Sequence, residues 1–236
     1  MEIVYISVGI SFAIWLYLIY KFDRYEPEPL MILIFIGIAG GLMSSIPAAF
    51  LNSIAASVLN IAPFFSSGAD EPAAASDLLK FSLFVGFNEE IWKSLAALFI
   101  LKRLSHFNEP ADALIYSMTI ALGFATFENI EYTLMGGLDL LVLRSVTAVP
   151  LHVGLAAIWG IGITRGKYIK GGSYFAVMVP YVTAAALLHA LYNYILFTVD
   201  SSFSLIIAVI ISFSVIKYAF KRLTELVEIS PFKKEE

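Results

Sequence analysis

Glu89, Glu90 and Lys93 lie in the stretch FNEEIWKSL, residues 87–95, within a run that is otherwise almost wholly apolar. Glu128, Asn129 and Glu131 occupy a second such run, His152 a third, and His189 and Asn193 a fourth. Adjacent carboxylates in a medium of low dielectric oppose each other's charge, the setting in which one of them serves as a general base near neutral pH. A water held by Glu89 or Glu90 could attack a carbonyl carbon, with His152, His189 or Asn193 donating hydrogen bonds to the developing oxyanion. Lys93 follows Glu89 by four residues and Glu90 by three, so it can balance the charge of either from the same helical face. Two histidines and a glutamate also form a donor set for zinc, here His152, His189 and Glu128 if a metal is bound. The chain has no cysteine, G-x-S-x-G or H-E-x-x-H, so thiol, serine-elbow and zincin-helix chemistries lack their signatures. The same carboxylates and histidines also suit a proton- or ion-coupled transporter. Such carriers often contain paired repeats with matching interrupted helices, whereas Pro47 and Pro180 do not occupy equivalent frames and no internal repeat is visible.

The elements that hold these groups follow from composition. The 236 residues are 59% hydrophobic and 14% charged, where a soluble domain carries about a quarter charged residues. With a mean hydropathy of +0.83, this is the composition of an integral membrane protein. A span needs about 20 apolar residues. Seven segments qualify: Ile3–Tyr20, Leu30–Val58, Phe81–Leu101, Ala111–Leu134, Val146–Thr164, Tyr174–Phe197 and Ser204–Phe220. The expected fold is an all-α polytopic transmembrane bundle forming one domain over residues 1–236, with eight spans if 138–149 adds a further membrane helix. Leu138–Leu143 has the character of a short interfacial helix, and Pro47 is expected to kink the second span. The first span reads as an anchor, because its basic residues Lys21 and Arg24 follow it. A net charge of −4 gives no basic surface for nucleic acid, which leaves the lipid bilayer as the evident partner.

Placing the N-terminus outside puts every Lys and Arg except Lys80, Lys93 and Arg144 on the inner side, which orients the bundle N-out and C-in. Counted from the outer ends of their spans, Glu89, Glu128, His152 and His189 then lie at about the same depth, roughly 9–12 Å. An acid or lysine at mid-membrane costs roughly 2.5–3.5 kcal/mol on insertion scales, so five charged residues represent on the order of 10 kcal/mol before pairing. A cost comparable to the stability of a whole domain points to one assembled site. The acidic loop Asn60–Leu79 is expected to lie over its outer entrance.

Five short motifs in order, DRYEPEP (23–29), NEEIWK (88–93), GFATFENIEY (123–132), LHVG (151–154) and HALYN (189–193), resemble those of the PrsW family of intramembrane proteases. That family is similar to the larger superfamily of CAAX and bacteriocin-processing proteases, whose second motif is F-x-x-x-H, where FATFE here ends in Glu128. The resemblance implies that Glu89 and Glu90 are the catalytic acids and that Glu128, His152, His189 and Asn193 complete the site, either around zinc or as a metal-free glutamate enzyme. It further implies a membrane-protein substrate, such as a single-span anti-sigma-factor regulator, and a prokaryotic plasma membrane. The DRYEPEP turn, with Pro27 and Pro29 ending the first hairpin, receives no chemistry from this reading.

Overall fold

The structure is a computed structural model and describes residues 1–61, 73–168, 174–199 and 201–234. The loop charges Asp70, Glu71, Lys170 and Asp200 and most of the expected entrance loop lie outside the described residues. Within them all regular structure is helical: α1 (Glu2–Lys21), α2 (Leu30–Val58), α3 (Ala75–Leu101), α4 (Asp112–Val146), α5 (Ala148–Tyr168), α6 (Tyr174–Thr198) and α7 (Ser201–Glu228). Every expected segment is a helix, and the bounds of the second agree at both ends. α2 starts after Pro29, whose φ of −56° suits the residue before a first turn, and it continues through Pro47 as one helix. α3 begins a turn and a half before its apolar run, with Asp77 in its first turn favouring the helix N-terminus. α7 outlasts its apolar stretch because Lys221 and Arg222 pair with Glu225 along its surface.

Five stretches are long and apolar enough to cross a membrane: Glu2–Lys21, Leu30–Val58, Asp112–Tyr168, Phe175–Thr198 and Ser202–Glu228. The third holds α4 and α5 together; α3, which carries Glu89, Glu90 and Lys93, is not among them. Helices α2, α3, α6, α5 and α4 pack in that order into a closed ring, with α1 against α4 and α7 against α5. The most apolar part of the α4–α5 stretch is largely buried and that of α1 largely exposed, so α4 and α5 form the centre and α1 a flank. The core is built on buried Trp159, Tyr116, Leu114, Ile115, Met118 and Leu122 of these two helices.

Two features set the helix positions. Gly123 of α4 lies against the backbone of Gly37 and Gly41 of α2, so a Cβ at 123 would collide with the Gly37 carbonyl. Gly86 of α3 touches α6, where a Cβ would stand 2.5 Å from the Ala186 carbonyl oxygen and 2.8 Å from the Ala190 nitrogen.

α4 is not straight. Gly137 has φ 76° and ψ −173°, a conformation that side chains disfavour, and the chain reverses there. In a straight helix Glu128 and Arg144 would be about 24 Å apart along the axis, yet Arg144 Nη2 lies 2.9 Å from Glu128 Oε2. Residues 138–146 therefore form a helical arm that turns back into the bundle, where Ser145 meets Ser11 and Trp15 of α1. One expectation changes accordingly: Arg144 is a partner of Glu128 inside the bundle and not an outer loop charge.

Gly123→Val should destabilise the bundle by at least about 1–3 kcal/mol, because the new side chain meets backbone and cannot be accommodated by a rotamer change. Thermal unfolding in detergent should show a clear fall for this variant. Gly9→Ala, whose Cβ meets nothing within 4 Å, should leave the transition unmoved.

Candidate active site

The site begins with Lys93, whose side chain is entirely buried. Its Nζ donates to Glu90 Oε1 at 2.6 Å, lies 3.0 Å from His152 Nδ1, and sits 4.4 Å from the centre of the Phe124 ring. Glu90, one helical turn back, is the most thoroughly held acid of the group. Its Oε1 also receives His189 Nδ1 at 2.9 Å, and its Oε2 accepts from the Trp159 indole at 3.0 Å. A buried carboxylate is tolerated where paired charge and directed donors replace water, and three helices supply them here. The close passage of α6 over Gly86 brings His189 within reach.

Glu89 is different. Its Oε1 accepts from Asn52 of α2 at 3.1 Å, and Asn52 is itself held by Asn88 at 2.8 Å. Its Oε2 is buried and has no hydrogen bond, with Lys93 Nζ and His189 Nε2 each 3.7 Å away. Of the adjacent acids, Glu90 is saturated and Glu89 keeps an oxygen free. That free oxygen faces the histidines, whose rings meet edge to face at 5.0 Å.

His152 connects this pair to the third acid. A protonated lysine only donates, so His152 Nδ1 accepts from Lys93, and the ring proton falls on Nε2, 3.0 Å from Glu128 Oε2. Arg144 bridges Glu128 and Asn129, at 2.9 Å and 2.7 Å, from the returning arm of α4. Three carboxylates, Glu89, Glu90 and Glu128, thus share two cationic side chains, Lys93 and Arg144.

Glu89, Glu90, Lys93, Glu128, His152 and His189 are brought into one contiguous network. Asn193, a turn beyond His189 on α6, is half-buried and makes no side-chain hydrogen bond among the described residues. Glu131 is exposed. Sequence reasoning missed Trp159, Arg144 and Asn52. Arg144 had a readable signal, as a lone cation in the apolar run LLVLRSV next to a Gly-Gly pair. Trp159 and Asn52 had none, because only the packing of α5 and α2 against α3 reveals their partners.

One ligand atom each from Glu89, His152 and His189 lies within 4.8 Å of the others. Glu89 Oε2 and His189 Nε2 are open to a catalytic zinc, whereas both ring nitrogens of His152 are engaged, so His152 completes the set only by releasing Lys93 or Glu128. Glu128, the acid first expected in that set, bonds His152 and Arg144. The His189 Nδ1 bond to Glu90 leaves Nε2 for a ligand, the second-sphere arrangement typical of metal-binding histidines.

Comparison with known proteins agrees with this chemistry. The model of the PrsW family of intramembrane metalloproteases matches residues 28–219. A protein named Protease PrsW from Oceanobacillus iheyensis is 28% identical over 227 residues, covering 93% of this chain and 96% of its own. Proteins of the same name from Geobacillus kaustophilus and Clostridioides difficile are 28% and 30% identical, covering 81% and 74% of this chain and 77% and 71% of theirs. No solved structure matches. The glutamates, lysine and histidines gathered between α3, α4, α5 and α6 lie within the matched region, and the chain belongs to the PrsW family of intramembrane proteases.

Proposed function

We propose that this protein hydrolyses a peptide bond in a membrane-embedded or juxtamembrane segment of another membrane protein, with Glu89 as the residue that holds and deprotonates the attacking water. The observation that carries this reading is the free Glu89 Oε2, buried beside two histidines while its neighbour Glu90 is fully bonded. A general base needs an unoccupied oxygen within reach of water, and Glu89 offers one. Glu90 and Lys93 play the complementary role, since their ion pair neutralises the core of the site and fixes the ring of His189. Glu128 and Arg144 orient His152 from the opposite side. The unbonded amide of Asn193 is then available to a substrate carbonyl, as an oxyanion donor or an anchor for the extended peptide.

If zinc is the cofactor, Glu89 and His189 would hold it, with His152 joining them on release of Lys93 or Glu128, and Glu89 would then serve as a ligand and not as the base. When bound, the ion would increase the acidity of its water and polarise the scissile carbonyl. The rest is done by the chain itself. Glu90 orients His189, Glu128 orients His152, and the apolar walls limit water to the site.

The bundle is read as N-out and C-in, with α1 to α7 crossing the membrane and 138–146 as a re-entrant arm. The distribution of basic residues supports this orientation, since the α1–α2 loop, the α3–α4 loop and the end of α7 carry most of them. Glu89, Glu128, His152 and His189 then lie nearer the outer face, and water enters from there. The substrate is cut in its extracytoplasmic juxtamembrane segment or the outer part of its span. A single-span regulator of the anti-sigma-factor type in a bacterial plasma membrane fits these requirements.

Two outcomes follow. Protein reconstituted in liposomes with single-span substrates should yield new termini on the extracytoplasmic side, mapped by mass spectrometry; termini on the cytoplasmic side would reverse the orientation. Proton or ion flux without any cleavage would favour a transporter instead. Metal analysis of purified protein should find about one zinc per chain at this site, with activity lost on chelation and restored by zinc, and His189→Ala should abolish the zinc content.

A further inference from the structure

At the other end of α4, about 24 Å along the helix from Glu128, the α1–α2 loop, the α3–α4 loop and the end of α7 converge on a group of acids. Asp23, Glu26 and Glu28 come from the DRYEPEP turn, Glu109 from the α3–α4 loop, and Asp112 from the first turn of α4. Asp23, Glu28, Glu109 and Asp112 are buried. Some of their oxygens do ordinary loop work. Asp23 Oδ2 accepts from the Glu28 backbone N–H at 2.7 Å, and Asp112 Oδ2 accepts from those of Asn108 and Glu109 at 2.7 and 2.8 Å. Glu26 Oε1 accepts from the Asn108 amide, and Glu109 Oε2 from the Ser230 hydroxyl.

The other oxygens have no such partner. Asp23 Oδ1, Glu26 Oε2, Asp112 Oδ1 and both oxygens of Glu28 are buried without a hydrogen bond, although the Glu28 side chain is only 1% exposed. Nor is there enough positive charge nearby. Among the described residues, the one ion-pair contact to these acids is from His106 Nδ1 to Glu28 Oε2, at 3.7 Å. Lys167, which interacts electrostatically with Asp112, donates to the Phe107 carbonyl and lies 3.5 Å over that ring. The Tyr116 hydroxyl faces Glu28 as a hydrogen-bond donor but brings no charge.

Carboxylate oxygens of Glu26, Glu28 and Asp112 approach within 4.8 Å of one another. Oxygens that share a cation at about 2.0–2.6 Å are separated by this kind of distance, and an all-oxygen set with no nitrogen or sulfur selects hard ions. We propose that Glu26, Glu28 and Asp112 hold a hard divalent cation, Ca2+ or Mg2+, which ties the α1–α2 loop to the start of α4. Burial supports the need for it. Five buried carboxylate oxygens without a hydrogen bond leave the ionised cluster unfavourable as it stands. A divalent ion supplies the missing charge and fills the unpaired lone pairs together.

This site is separate from the peptidase centre in residues and in ion preference, so it stands or falls independently of that reading. Purified full-length protein, freed of metal by chelation, is titrated with Ca2+ or Mg2+ while thermal unfolding is followed. The transition should rise by roughly 5 °C or more when the cation reaches about a hundred times its dissociation constant. The rise should persist in a Glu89→Gln/His189→Ala variant and vanish in Glu28→Gln and in Asp112→Asn. Bound Mn2+, counted by paramagnetic resonance, provides a readout independent of stability: wild-type protein should bind it in competition with Ca2+ or Mg2+, and the Glu28→Gln variant should not. Absence of both the thermal rise and Mn2+ binding in wild-type protein would overturn the proposal, as would equal Mn2+ binding by Glu28→Gln, or a loss of both effects in Glu89→Gln/His189→Ala.

Discussion

The arrangement of this bundle depends on how a fully buried lysine is neutralised. Lys93 lies 2.6 Å from Glu90 Oε1 and 3.0 Å from His152 Nδ1, in a part of the chain that is otherwise apolar. Removing one member of such a pair leaves an uncompensated charge, which typically costs about 3–5 kcal/mol. Glu90 also binds His189 and Trp159, so the same ion pair fastens α3 to α5 and α6. Lipid provides little drive for one helix to pack against another, and directed polar contacts of this kind therefore set helix register. The small-residue contacts at Gly86 and Gly123 admit the close approach; the charges determine where along each helix it occurs.

That solution separates two adjacent glutamates into different chemical states of use. Glu90 is saturated by donors and so belongs to the framework, whereas Glu89 retains a bare oxygen next to both histidines. The reversal at Gly137 completes the asymmetry by returning Arg144 to Glu128, which fixes His152 from its far side. α4 thereby carries two polar centres, Glu128 and Asn129 ahead of the reversal and Asp112 at its start. In the first, the charges are nearly balanced by lysine and arginine; in the second, the acids lack such partners.

Much of this was legible in the sequence, for a physical reason: burying unpaired backbone in lipid is prohibitive, so apolar runs of span length must be helices. Leu30–Val58 was read at both ends because Pro29 precedes its first turn and Asn60 and Pro63 interrupt the apolar run after its last. Helix ends made of polar residues were read short, as at Ala75 and Glu228, because hydropathy ends before hydrogen bonding does. The shared depth of Glu89, Glu128, His152 and His189 foretold their meeting. Arg144 was misplaced because a reversal through one glycine leaves 138–146 apolar on both sides, and no periodicity distinguishes an arm that folds back from one that goes on to a loop. Trp159 and Asn52 depend on contacts between distant segments, and local pattern carries no trace of those.

The most direct measurement is single-turnover cleavage of a membrane-embedded peptide by reconstituted Glu89→Gln and Glu90→Gln proteins, with thermal unfolding recorded for each. Glu89→Gln should lose about two to four orders of magnitude in the cleavage step, the range typical of a lost general base. Its unfolding transition should remain at or above that of the parent, since an amide is cheaper to bury than a carboxylate. Glu90→Gln should fail chiefly through a lowered unfolding transition, having left Lys93 without its nearest counter-charge. Undiminished cleavage by Glu89→Gln, or a Glu90→Gln protein as stable as the parent, would contradict the division of labour between the two glutamates.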